Sequence, residues 1–408
     1  MRAARSAPDW HNPHALRPGK DWHNPQTPRF GRLLPRLWST CAFSEPGTGA
    51  PTAEKLREFR TSIRDTAAVS QTSALAVLLR FARLYILERY SREELFPLGL
   101  CNPRVGRDAI DACISREDLY DLQLRFNPPA YNYVTEDKVV FYLFCKSAGI
   151  RIPELYAVFD PVLGWTADDT TLSGREDWLR YFAEAAPDTF VIKPALGVHG
   201  MALGAYQRTA GGFVDSAGKR YMAGDLYDFM AANADFDRFV IQERLKNHPE
   251  LLRISGAEAV QTVRAITLVR EGTAPALVLA VQKIVKGPGL ADNFRWGRTG
   301  NMVAGVDLAS GTLERIVTGA PRGVGLREVE RHPVTGAVLK GYQLPFWDEL
   351  RGLVIDAARK MLPIRTVGWD VALTPDGPVI VEGNMWWHPD HHNALRQLGG
   401  FAKTCGLT

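Results

Sequence analysis

Three oxygen-bearing side chains, Asp370, Glu382 and Asn384, are spaced so that they can gather around one hard cation. They sit in the stretch 367–384, two apolar runs separated by Thr374-Pro375-Asp376-Gly377-Pro378. That separator is turn chemistry: proline presets φ, and glycine accepts a left-handed backbone. A three-residue loop of Pro375, Asp376 and Gly377 joins two strands as a hairpin and sets Asp370 opposite Glu382. Alternation along a strand puts Glu382 and Asn384 on one face. Two carboxylates and an amide oxygen suit Mg²⁺, one ion or two, with Mn²⁺ as a substitute; Mg²⁺ usually also takes water and phosphate oxygens. Two opposed carboxylates without a cation repel. A metal or ligand site is therefore favoured over an edge hairpin with solvated acids.

A phosphate-binding partner for such a cation lies upstream. The stretch 190–206 reads as a strand, a lysine, a glycine-rich loop and a second strand. Gly197 and Gly200, with Gly204, let backbone N–H groups approach phosphates, and Lys193 at the strand end can reach one. His199 lies in the loop as either a phosphate contact or a solvated residue. No Gly-Lys-Ser/Thr precedes a helix, so this is not a P-loop. Together the hairpin and the lysine loop point to a Mg-ATP site.

Further segments offer supporting groups. Residues 239–245 read as a strand entering a polar stretch, whose end can read an adenine edge or hold a ribose; an ordinary core strand is the plainer reading. In 259–269, Thr262, Arg264, Ile266 and Leu268 face one way and Val263, Ala265 and Thr267 the other. An arginine among apolar residues must find an anion, either a salt-bridge partner or a ligand phosphate or carboxylate. From Gln282 to Asn301 the chain is rich in polar residues and glycine, and reads as a loop over a site in which Lys283 and Arg295 can hold an acceptor carboxylate. His388, Asp390, His391 and His392 follow the hairpin directly. Their spacing fits no standard zinc pattern, leaving substrate contact or a structural role.

The elements that must position these groups are mixed. Residues 1–52 are rich in Pro, Gly, Ser and Arg, repeat Asp-Trp-His-Asn-Pro at 9–13 and 21–25, and read as a disordered tail. They lack a charged-then-apolar signal peptide and only weakly match a transit peptide. Residues 53–130 read as a helical N-terminal region. In it, Leu75, Leu78, Leu79, Ala82 and Ile86 form one helix face, expected to point at the core. A helix is expected over 136–150 with a stop at Gly149, then a strand over 152–159, and helices near 222–233 and 346–361. Two α+β subdomains, 131–240 and 241–408, would follow the helical region. Apolar runs broken by turns suit an α+β protein rather than repeated βαβ units.

Composition narrows the function classes. The 408 residues are 46% hydrophobic and 23% charged, ordinary for a soluble globular protein. A net charge of +4 is too mild to argue for nucleic acid. No apolar run is long enough for a membrane span. Five scattered cysteines form no CxxC pair, which fits a reducing, cytoplasmic setting.

Taken together, these segments resemble the ATP-grasp superfamily, and within it the sugar-transfer associated ATP-grasp group near the alpha-L-glutamate-ligase-related proteins. The resemblance runs over roughly residues 75–400. It is carried by Glu136-Asp-Lys-Val-Val, Val191-Ile-Lys-Pro, Ile241-Gln-Glu-Arg-Leu, Thr262-Val-Arg-Ala-Ile-Thr, Gly368-Trp-Asp370 and Glu382-Gly-Asn384. It implies an ATP-grasp fold whose two subdomains grip ATP between antiparallel sheets. Lys138 and Lys193 would contact phosphates. Gln242, Glu243, Arg244 and Leu245 would contact the adenine, with Glu243 also a ribose partner. Asp370, Glu382 and Asn384 would hold Mg²⁺, and Arg264 would neutralise a transferring phosphoryl group or a carboxylate. The chain departs from the expected pattern with Gln261 in place of Asn, Gly300-Asn301 in place of a glycine pair, and no lysine in the glycine loop.

The activity this implies is ATP-dependent ligation: a small-molecule carboxylate activated as an acylphosphate and captured by an amine or thiol, with a link to exopolysaccharide or other cell-surface glycan from the family name. The alternatives are a phosphotransferase acting on a hydroxyl and a catalytically silent nucleotide-binding protein. Oligomeric state is not legible.

Overall fold

Alternating apolar runs and glycine or proline turns build two antiparallel sheets, and these position Lys193, Gln242, Glu243, Arg264, Lys283, Asp370, Glu382 and Asn384. The computed structural model describes residues 52–197, 204–287 and 292–405. The tail expected over 1–52 thus lies almost entirely outside the described residues, as do His199 and Gly200. The chain divides into two units, Met1–Arg60 and Thr61–Thr408. In the first, the described residues 52–60 are helical, within a helix that spans Thr52–Ser70.

The first sheet holds β1 (Leu155–Phe159), β2 (Gly164–Thr166), β3 (Thr171–Leu172), β4 (Thr189–Pro194), β5 (Gly204–Thr209), β6 (Gly212–Asp215), β7 (Arg220–Tyr221) and β8 (Phe239–Glu243). Their order is β3-β2-β1-β8-β4-β5-β6-β7. β8 crosses residue 240, so this sheet closes at Glu243. Phe159, Trp178, Phe182, Phe190 and Phe239 fill its core, with the helix Ala223–Ala231 supplying Leu226 and Met230.

The second sheet holds β9 (Thr262–Leu268), β10 (Ala276–Ile284), β11 (Met302–Val306), β12 (Leu313–Gly319), β13 (Leu326–Glu328), β14 (Thr366–Thr374) and β15 (Gly377–Asn384). Their order is β13-β12-β11-β10-β9-β14-β15. Val263, Ala265, Val367 and Trp369 pack on one face against Leu350, Val354 and Ala357 of the helix Trp347–Lys360. The strand alternation read for 262–268 is the observed one. Gln282 and Lys283, expected in a loop, lie inside β10; their valine- and leucine-rich run extends the strand to Ile284.

The hairpin corrects one expectation and keeps another. Thr374 pairs with Gly377, so the turn holds two residues rather than three, and Gly377 takes φ +106°. A bulge between Asp370 and Val371 restores the missing residue, and Asp370 still pairs with Glu382.

The helix expected over 136–150 forms over Lys138–Ser147. Asp137 stops it from starting earlier: its carboxylate caps Val139 N–H at 2.8 Å and Val140 N–H at 3.1 Å. It also pairs with Arg238 at 3.0 Å.

The face expected for the helix Ala74–Leu87 is reversed. Leu75 and Leu79 are each 64% exposed, while Val77, Phe81 and Leu84 are buried. The helix is apolar nearly all round, so periodicity could not choose which stripe meets the core. Asn127 fastens the helical region to the second sheet. Its side chain accepts from Arg365 N–H and Thr366 N–H, and donates to the carbonyls of Thr366 and Met385.

Candidate functional site

Register brings the candidate charges together. Across the second sheet Arg264 pairs with Asp370, Asp370 with Glu382, and Arg264 with Val281. Directly opposed residues share a face, and Lys283 lies two residues beyond Val281 on it. One face of the sheet therefore carries Arg264, Lys283, Asp370 and Glu382 in neighbouring positions. Asn384, opposite Gly368, continues that face.

The acids on this face are compensated. Arg264 donates Nε to Asp370 Oδ1 and Nη2 to Asp370 Oδ2, both at 2.8 Å. Lys283 Nζ lies 3.0 Å from Asp370 Oδ1 and 3.3 Å from Asp292 Oδ1. Burial pushes the Asp370 carboxyl up, but Arg264 and Lys283 outweigh it and hold the group down at about 2. Asp292 in turn accepts from Thr262, at 2.8 Å from its backbone N–H and 2.6 Å from its hydroxyl. The anion expected for Arg264 is thus Asp370. Lys283 is a buried strand residue between two carboxylates, not part of a basic loop.

Two lysines oppose these acids, one opening the helix Lys138–Ser147 and one on the first sheet. Lys138 Nζ lies 3.3 Å from Glu382 Oε1 and donates to the Gly197 carbonyl at 2.8 Å. Lys193, on β4, donates to the Tyr142 hydroxyl at 2.7 Å, and Tyr142 donates to Gln242 Oε1 at 2.6 Å. Burial, reinforced by the charge of Lys138 and partly offset by Glu382, pulls the Lys193 ammonium down to about 7. Tyr142 had no signal of its own in the sequence. Its position one helical turn after Lys138 is what places it beside the lysines.

The remaining expected residues are placed as follows. Gly197 is the last described residue before 204, and its carbonyl holds Lys138. Glu243 accepts from Glu154 N–H at 3.1 Å. Arg244 lies 3.6 Å from the exposed Glu258, and Leu245 is half-buried. Arg295 is exposed on a left-handed turn, with no ion pair among the described residues. Asn384 donates weakly to the Gly368 carbonyl at 3.4 Å.

The donor set suits Mg²⁺ and a polyphosphate. Two carboxylates and an amide oxygen share one face, and each carboxylate is held by a cation that an incoming phosphate can take over. Lys193, poised near neutrality, regains full charge beside an anion.

A second wall stands on the same face. Trp387 packs on Gly368, where an added Cβ would come within 2.6 Å of Trp387 Cβ. The helix Asp390–Ala394 follows. Gly305, opposite Val281, faces Gln397 in the same way, at 3.1 Å. Asp390 lies within electrostatic reach of Arg264. Among the described residues no group of three or more His, Cys, Asp and Glu is arranged to hold a metal ion.

Residues 118–391 match the family described as sugar-transfer associated ATP-grasp. No curated protein matches the chain. Similar solved structures include the D-alanine-D-alanine ligase of Coxiella burnetii, at 10% identity and TM-score 0.33, covering 66% of this chain and 57% of that one. D-alanyl-alanine synthetase A of Vibrio cholerae is at 10% and 0.35, covering 67% and 64%. A D-cycloserine synthetase is at 14% and 0.35, covering 70% and 78%. The chain thus spans about three-fifths of the length of the first two. No helix among the described residues is long and apolar enough to cross a membrane.

Proposed function

Because the chain belongs to the sugar-transfer associated ATP-grasp family, we propose that it is an ATP-dependent, ADP-forming ligase that activates a small carboxylic acid as an acylphosphate for capture by an amine or thiol. The family implies ATP binding; the carboxylate, its acceptor and any glycan connection are part of this reading. The observation that carries it is the pairing of Asp370 with both Arg264 and Lys283 on a face shared with Glu382. Such a site works by charge placement rather than by covalent attack.

The thiols support that view. Burial pushes Cys101 and Cys145 up to about 12 and raises Cys113, so none of these is an activated nucleophile. Asp370, Glu382 and Asn384 would hold Mg²⁺, which when bound neutralises phosphate oxygens. Lys138 and Lys193 draw the phosphate end of the nucleotide toward the first sheet. Arg264 and Lys283, which pair with Asp370, would face the transferring phosphoryl group and the carboxylate that receives it. Tyr142 orients Lys193 through its hydroxyl.

The test is phosphorus NMR of the protein with Mg-ATP and a panel of small carboxylic acids and amines. ADP and inorganic phosphate that require both a carboxylate and an amine support the ligase. A stable phosphoester would replace it with phosphoryl transfer to a hydroxyl.

A further inference from the structure

The second wall contains a charge arrangement that metal and nucleotide chemistry leave unused. One oxygen, Asp390 Oδ1, is addressed by two histidines: His391 Nδ1 at 2.9 Å and His388 Nδ1 at 3.7 Å. It also accepts the His391 backbone N–H at 2.8 Å. The His391 ring contact is not an aligned hydrogen bond, and neither ring nitrogen of His391 has a hydrogen-bond partner among the described residues. Asp390 is buried. Burial pushes its carboxyl up, yet the two histidines more than reverse this and hold it well below the usual range.

The two histidines differ in access. His391 is buried against Phe294, with ring centroids 6.0 Å apart. The His388 side chain is 33% exposed, and its ring meets Trp296 edge-on at 5.3 Å. Trp296 is held there by a strained turn: Arg295 and Trp296 take φ of +46° and +57° in succession. Non-glycine residues enter that region at an energetic cost, and such strain clusters at functional sites. The turn is anchored by Asp292, which binds Thr262 and Lys283. Other charges reaching this group are Arg264 from β9, acting on Asp390, and the buried Glu94, which interacts with His388. His392, one residue further, is kept neutral by burial.

We propose that His388, oriented by Asp390 and steadied by Trp296, is the proton acceptor for the incoming amine. This rests on the ligase reading. Nδ1 faces Asp390, so Nε2 is the atom that meets the acceptor. As the amine nitrogen bonds to the acylphosphate carbonyl carbon, the carbon–oxygen bond to the phosphoryl group breaks. Inorganic phosphate leaves with that electron pair and takes up the proton that nitrogen sheds as its bond forms; the earlier proton, which an ammonium acceptor must lose to free its lone pair, passes to His388 Nε2. The imidazolium, stabilised by the Asp390 carboxylate, then returns the proton to water. His388 is the catalytic group, and Asp390 and Trp296 are positioning residues.

The experiment uses the full chain, Mg-ATP and a carboxylic acid that supports ADP release. Ammonium serves as an acceptor that must lose a proton, and hydroxylamine as one already uncharged at neutral pH. His388→Ala is expected to slow amide formation from ammonium by about 100-fold or more. Hydroxamate formation should stay near the wild-type rate, and added imidazole should restore amide formation. His388→Gln should behave as His388→Ala without the imidazole response. Asp390→Asn should move the pH profile of amide formation while sparing hydroxamate formation. Unimpaired amide formation in His388→Ala, or equal losses with both acceptors in both His388 variants, overturns the assignment while the ligase reading stands. If no carboxylic acid supports ADP release in the wild type, the ligase reading fails first and this assignment falls with it.

Discussion

Arg264 and Asp370 stand directly opposite each other on β9 and β14, joined by two hydrogen bonds of 2.8 Å. In the proposed function, the carboxylate that would hold a metal is thus held by the cation that would meet a phosphate. Each keeps the other ionised inside the protein, and each is available when its counter-charge arrives from outside.

That pairing makes Asp370 a stability residue as well as a site residue. Asp370→Asn should abolish carboxylate-dependent ADP release and also destabilise the fold by about 3 kcal/mol, because Arg264 and Lys283 are left buried without their shared anion. Urea titration measures the second effect. An unchanged midpoint would mean the pair contributes nothing to folding.

Lys193 should make nucleotide binding proton-linked. Its ammonium is lowered to about 7, so at pH 8 most of it is neutral before binding. An incoming phosphate favours the charged form, so one proton is taken up. Titration calorimetry in two buffers of different ionisation enthalpy should report uptake approaching one proton at pH 8, and Lys193→Met should remove it. The same group affects stability: the unfolded chain holds this proton up to about 10.5, so stability should rise with pH between about 7 and 10.5.

His392 should steepen acid unfolding. Burial holds it at about 3 in the fold, against an ordinary 6.5. The unfolded chain therefore binds a proton that the fold refuses, and stability is lost as pH falls from 6.5 toward 3. The slope contributed is about 1.4 kcal/mol per pH unit. Urea titrations at several pH values should show a shallower acid limb for His392→Gln.

The helix Ala74–Leu87 offers a direct check on its reversed face. Leu75→Lys and Leu79→Lys should change stability by no more than about 0.5 kcal/mol, since both side chains already meet solvent. Leu84→Ala, in the buried stripe, should cost about 2–5 kcal/mol. Thermal or urea melts separate the two sets.

Much of the site was legible because it is built from short-range rules. The alternation in 262–268 placed Arg264 on the face opposite Val263, and the two hairpin strands placed Asp370 against Glu382. The second result survived a wrong turn length, because the bulge at Asp370 supplied the residue that the tighter turn removed. The helix Ala74–Leu87 shows the reverse case: with leucines on two sides, the pattern held no information about which side is covered. Lys283 was read as loop because glycines and charges follow it, whereas the strand pairing with β9 and β11 extends through it.

Sequence alone therefore determined the α+β character, the hairpin that carries Asp370, Glu382 and Asn384, and the need of Arg264 for an anion. Each depends on residues close in the chain or on the cost of an unpaired charge. Tertiary structure alone decided which anion Arg264 meets, that Lys138, Lys193 and Tyr142 converge near Glu382, and that His388 shares Asp390 with His391 beneath Trp296. Those pairings join residues up to 244 positions apart, as with Lys138 and Glu382. Their energies depend on burial and register across two sheets, which no local window contains.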